Sequence, residues 1–169
     1  MKNFIVALLI LPLFAVSQEC TIKKEVDPYT KEVKFSTGLI PFNQGIDRFL
    51  LSIDANKSEI DFFFTLNASR DGKCFDAAST ATIIFDGNKL KTNFKNTGYM
   101  NCEGMFHFTF RNTATTPSAL QKFATQKIAS ITLTGNNKTI TVLNINDIQK
   151  QLLMAMATCI IKEARGLLK

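Results

Sequence analysis

Tryptophan is absent from this 169-residue chain, tyrosine occurs only twice, and His107 is the single histidine. The aromatic content is almost all phenylalanine, 15 residues of it. Rings without a polar handle suit core packing better than stacking on sugars or bases. One imidazole excludes a metal centre built on several histidines, and any metal site would have to draw on carboxylates or thiols. Arginine is scarce as well (Arg48, Arg70, Arg111, Arg165), and the formal charge of +6 is modest. Nucleic-acid binders gather Arg and Lys on one face, so nucleic acid is not expected as a partner. No G-x-S-x-G elbow, H-E-x-x-H pair or G-x-x-x-x-G-K-[ST] loop occurs, and no cofactor or metal is expected.

Long apolar runs are equally few. The first, Phe4 to Val16, follows the positive Lys2 and leads into the small residues Ala15-Val16-Ser17, the pattern of an export signal. It is well short of the roughly 20 apolar residues that span a bilayer. Residues 1–17 are therefore expected to be a cleaved signal peptide and 18–169 a single β-rich domain, periplasmic or secreted. Cys20, just after the leader, raises a lipoprotein alternative. The bulky, acidic Gln18-Glu19 before it argues against a lipobox.

The cysteines Cys20, Cys74, Cys102 and Cys159 all follow the leader. An even count in an exported chain reads as two disulfides, with three pairings open. Cys74 with Cys102 is favoured, because each lies beside turn-forming residues and the chain between them reads as a hairpin that brings its ends together. Cys20 with Cys159 then follows by elimination.

Period-two apolar patterns dominate the rest. Asp27-Pro28-Tyr29-Thr30-Lys31 reads as a turn between two β-prone arms within 20–36, and 37–45 looks irregular. Residues 48–53 and 60–66 read as paired strands around a polar turn; Phe49, Leu51 and Ile53 share one face, and Ile60, Phe62, Phe64 and Leu66 another. Residues 80–85 and 89–94 flank Asp86-Gly87-Asn88, a strong hairpin signal. A strand over 105–111 has Phe106, Phe108 and Phe110 on one side. A short helix over 119–126 and a last hairpin, 128–133 with 139–143, follow. The expected fold is mainly β (α+β): an antiparallel sandwich or partly open barrel with a short helix and a long C-terminal helix.

That last helix is expected over 147–168 with Asn146 as N-cap. Its apolar arc, which includes Leu152, Leu153, Met156, Ile160 and Ile161, is wider than one sheet face covers. The bland explanation is a helix sunk between sheet and loops; the other is a surface for a partner or a second subunit. The run from Leu152 to Ile161 is too short to cross a membrane, so no transmembrane segment is expected in the mature chain.

Individual candidates carry little local signature. Strand parity puts His107 opposite the Phe106-Phe108-Phe110 row, facing solvent, and no acid or nucleophile is identified beside it. Asp54-Ala-Asn56-Lys-Ser58 begins like a calcium loop, but Glu59 and Thr65 stand where glycine and a bidentate glutamate belong. Asp61, Asp76, Asp86 and Glu103 are carboxylates without an assigned role. Lys89, Lys91 and Lys95 share an outward parity; they suit an anionic glycan or lipid phosphate, or serve to guard an edge.

Glu25-Val-Asp-Pro-Tyr-Thr-Lys-Glu32, Cys74-Phe-Asp76 and Asn101-Cys-Glu-Gly104 resemble segments of uncharacterised small exported proteins of Gram-negative bacteria. That resemblance implies export and brings no activity with it. The sequence reading is thus a non-enzymatic envelope or secreted binding module that meets a protein or envelope component. Its contacts are expected through Phe63, Met154, Ile161, Lys89, Lys91 and Lys95. The alternatives are a small hydrolase acting on envelope glycan or peptide, and an assembly protein that homodimerises through the C-terminal helix.

Overall fold

The computed structural model describes residues 21–67, 73–87 and 91–168. The expected signal peptide, Cys20 and Lys89 lie outside them.

Among the described residues ten strands form two antiparallel sheets. The first holds β1 (Lys23–Val26), β2 (Val33–Ser36), β4 (Phe49–Ala55), β5 (Glu59–Leu66) and β8 (Met105–Arg111) in the order β1-β2-β4-β5-β8, with β3 (Ile40–Phe42) also paired to β4. The second runs β10-β9-β6-β7, from β10 (Ile140–Leu143), β9 (Ile128–Thr134), β6 (Thr80–Phe85) and β7 (Lys91–Lys95). The helices α1 (Ser118–Thr125) and α2 (Asp147–Gly166) pack with them. The expected class is the observed one: mainly β, with two sheets, a short helix, a long C-terminal helix and no closed barrel.

Segment 37–45, read from sequence as irregular, contains β3. Thr37 explains both views: its N–H donates to the Ile53 carbonyl while its hydroxyl accepts from the Ile53 N–H. A side chain replaces a backbone acceptor there, so β2 and β3 follow the same edge of β4 with a break between them. Gly38, at φ +69°, makes that break. Pro41 lies in β3, a strand paired on one side only, where a missing N–H costs no ladder bond.

The phenylalanines fill the interior. Phe62 stacks on Phe108 at 5.1 Å, Phe94 on Phe108 at 4.5 Å, and Phe123 of α1 meets Phe62 at 4.7 Å. Each such burial stabilises the fold by roughly 1.5–3 kcal/mol before conformational entropy is counted. Because the rings come from β5, β7, β8 and α1, they join both sheets and a helix in one core.

Helix α2 starts with a full capping box: Asn146 accepts from the Gln149 N–H, and the Gln149 side chain accepts from the Asn146 N–H. Its wide apolar arc is matched by several partners, since α2 packs on β2, β4 and β5 and also on α1. Leu153, Met156, Ala157, Ile160, Ile161 and Ala164 are all buried in the core. Packing therefore covers most of the arc, as a helix sunk among other elements requires, while Ile148 stays 79 % exposed. Ile161, only 6 % exposed, belongs to the core and not to a contact surface.

Candidate functional site

The outward face of the first sheet carries an unusual concentration of bonded polar groups. Register builds it. Asp54 lies opposite Asp61 across β4 and β5, Asp61 opposite Thr109 across β5 and β8, and Phe63 lies between Ser52 and His107. Facing carboxylates repel, and each of these is compensated by its own partners. Asp54 accepts from Lys34 Nζ at 2.8 Å and from Ser36 Oγ at 2.6 Å. Asp61 meets His107 Nε2 at 3.0 Å and accepts from Thr109 Oγ1 at 2.7 Å. Both acids are buried in spite of facing outward, at 8 % and 9 % exposure. The hydrogen bond to Asp54 holds the Lys34 ammonium above its ordinary pKa against the opposing effect of burial, with added attraction from Asp54, Glu25 and Asp61.

His107 is bonded at both ring nitrogens. Nε2 lies 3.0 Å from Asp61 Oδ1 and Nδ1 lies 3.1 Å from Thr97 Oγ1, a hydroxyl that also donates to the His107 carbonyl at 3.2 Å. The Phe63 ring covers the imidazole face, with centroids 4.2 Å apart and planes within 6°. Parity on β8 had placed His107 outward, and it is outward. Its acid and hydroxyl partners, invisible from the sequence, come from β5 and from the 96–101 segment.

That segment serves as a brace for β8. Asn96 Oδ1 accepts from the His107 N–H, Thr97 N–H donates to the His107 carbonyl, and the Asn101 side chain bonds both the N–H and the carbonyl of Met105. The Cys74–Cys102 disulfide and the Phe75–Asn101 bridge fix its far end. On this held segment Tyr99 is 95 % exposed, with Met100 and Met105 exposed nearby.

The favoured Cys74–Cys102 pairing is present. Cys159 is buried on α2, and no described cysteine is free. Met154 is half-buried, whereas Lys91 and Lys95 are exposed on β7, as parity required. The other carboxylates serve turns or solvent. Asp76 accepts from the Ser79 hydroxyl and the N–H groups of Ala78 and Ser79, which lowers its pKa, the hydroxyl first. Asp86 and Glu103 are exposed. Asn56 caps its own hairpin by accepting from Ser58 and Glu59, so the calcium-like residues form a turn.

A cavity of about 610 Å³, lined by Pro41, Asn43, Gln44, Gly45, Arg48, Asn146 and Gln149, shares no residue with the His107 cluster. Among the described residues no group of three or more His, Cys, Asp or Glu is placed to hold a metal ion, and no helix is long and apolar enough to cross a membrane. The fold and site together define a disulfide-braced β-sandwich with a bonded polar cluster beside an exposed aromatic segment. Comparison with family models, curated proteins and solved structures found no match.

Proposed function

We propose that this chain is exported to a periplasmic or extracellular setting and acts there as a non-enzymatic binding module for a protein or envelope component. Its contact surface is the outward face of the first sheet, around Phe63, His107, Tyr99 and Met105. The observation that carries this reading is the contrast within segment 96–101: its backbone is held by a disulfide and side-chain bonds, yet Tyr99 is left 95 % exposed. Interface anchors are enriched in Tyr, Phe and Met, and a rigid presentation lowers the ordering cost of binding. Export is supported by the leader pattern and by a disulfide, a bond that persists in oxidising compartments.

Photo-crosslinking in the native host tests the surface. A photoreactive residue at Tyr99 or Phe63 is expected to give a discrete adduct, and one at Thr132 on the second sheet is not. Adducts at Thr132 alone would refute the placement.

One observation favours the hydrolase reading as second: Thr97, His107 and Asp61 form a hydroxyl–imidazole–carboxylate chain, the arrangement that activates a nucleophile for acyl transfer. Against it, the Thr97 N–H is already donated to the His107 carbonyl, and the Gly98 N–H faces Asn96 Oδ1. Neither is aimed at a developing oxyanion. Peptide or ester hydrolysis that is abolished by both Thr97→Ala and His107→Ala would establish this second reading.

A further inference from the structure

The cavity of about 610 Å³ beside the start of α2 has a volume within the roughly 300–1,000 Å³ of sites that take small organic ligands. Its polar lining is rich in uncommitted donors. Asn146 Oδ1 accepts from the Gln149 N–H and Gln149 Oε1 from the Asn146 N–H, so the capping box engages both amide oxygens and leaves the two NH2 groups to the cavity. Gln44, at the entry to the short turn Gly45–Asp47, makes no side-chain cap bond. Among the described residues the Arg48 guanidinium has no ion pair and no side-chain hydrogen bond. The described lining residues include no carboxylate: Asp47 lines the small neighbouring cavity instead, and Asp147 is paired with Lys150 Nζ at 3.3 Å.

We infer that this cavity binds a small hydroxylated oxyanion, a carboxylate or a phosphate monoester of about the size of a sugar acid. A guanidinium without an internal partner offers paired N–H donors that match the two oxygens of a carboxylate or phosphate. The NH2 groups of Asn146 and Gln149 add neutral donors, so an anion satisfies the set and a cation does not. The volume leaves room beyond the charged group, and the Gln44 amide, which both donates and accepts, suits hydroxyls there. The walls are held in place: Asn43 Nδ2 donates to the Asn144 carbonyl and ties the 43–48 segment to the residues that lead into α2. A site formed in advance lowers the ordering cost of binding. It lies apart from the sheet face around Phe63 and His107, and the two are tested separately.

Side-chain amide and guanidinium NMR signals of the disulfide-intact mature protein, titrated at fixed ionic strength with glucuronate, glycerophosphate or glucose, test this. The expected result is saturable shifts at Arg48, Asn146 and Gln149, with a Kd at or below about 1 mM for at least one of the anions and no saturable shift with glucose. The tighter anion tells a carboxylate site from a phosphate site. Arg48→Gln is expected to weaken binding at least about tenfold. Gln149→Glu keeps an acceptor for the Asn146 N–H, so the helix start is preserved, but it sets a negative charge at the cavity and is expected to abolish binding. Lys24→Gln, exposed on β1, removes the same charge elsewhere and leaves the affinity unchanged. Near-ultraviolet circular dichroism checks that the variants are folded. No saturable shift with either anion, glucose bound as tightly as glucuronate, or an affinity indifferent to Arg48→Gln would overturn the inference.

Discussion

Phe63 and His107 lie directly opposite one another on β5 and β8, their rings parallel within 6° and 4.2 Å apart. The stack closes one face of an imidazole whose two nitrogens are occupied by Asp61 and Thr97. A side chain fixed on three sides adds rigidity to the outward face of the sheet, and the exposed Tyr99 segment is bonded to the same strand.

The Asp61 carboxylate is the common acceptor of this cluster. Asp61→Ala leaves His107 Nε2 and Thr109 Oγ1 without their partner and is expected to cost about 1–3 kcal/mol in urea unfolding. Asp61→Asn keeps an acceptor and removes the repulsion with Asp54, so its cost is expected to be less than half as large. Equal losses in the two variants would show that the hydrogen bonds do not brace the site.

Gly104 sits at φ +75°, and a Cβ there would lie 2.8 Å from the Leu66 carbonyl oxygen. Gly87 has nearly the same φ, +73°, and no atom of the described residues would lie within 4 Å of a Cβ there. Alanine at 87 therefore reports backbone strain alone, about 1 kcal/mol, whereas alanine at 104 adds a clash with backbone and is expected to cost about 2–4 kcal/mol. Thermal unfolding of the two variants separates the effects.

Lys34 gives the alkaline limb of stability a specific cause. Its folded pKa is raised, so its contribution is complete below the unfolded value near 10.4 and is lost as pH rises through the higher folded value. The side chain is 47 % exposed, and solvent screening keeps the effect small. The gap in urea midpoint between the unmodified protein and Lys34→Met is expected to be constant below about pH 10 and to narrow only as pH rises above about 10.4. Asp76 works in the opposite direction: its lowered pKa gives a contribution present above the unfolded value and lost as pH falls through the folded one.

The Cys74–Cys102 bridge closes a sequence separation of 28. By the chain-entropy relation its removal in Cys74→Ala/Cys102→Ala is expected to cost about 3–4 kcal/mol. Amide exchange should accelerate first at 97–102, the segment that the bridge anchors. Uniform acceleration over the whole domain would instead make the bridge a global staple with no special relation to Tyr99.

What was legible in the sequence was whatever depends on local periodicity. The alternation Phe106-His107-Phe108-Thr109-Phe110 set the inner and outer faces of β8, and Asp-Gly at 86–87 marked the β6–β7 turn. Strand β3 was missed because Thr37 uses a hydroxyl where a backbone group is expected, and Gly38 with Pro41 then reads as loop. The His107 cluster could not be read, because Asp61 is 46 residues away and its meeting with His107 depends on which strands become neighbours. Ile161 was misplaced for a similar reason: an arc too wide for one sheet implies a surplus only until α1 arrives to cover it.

Non-reducing peptide mapping of the protein recovered from its host tests most directly the proposal that the chain is exported and matures with two intramolecular bridges. The expected result is an N-terminus near residue 18, with Cys74 linked to Cys102 and Cys20 to Cys159. An intact leader with free thiols at all four positions would contradict it.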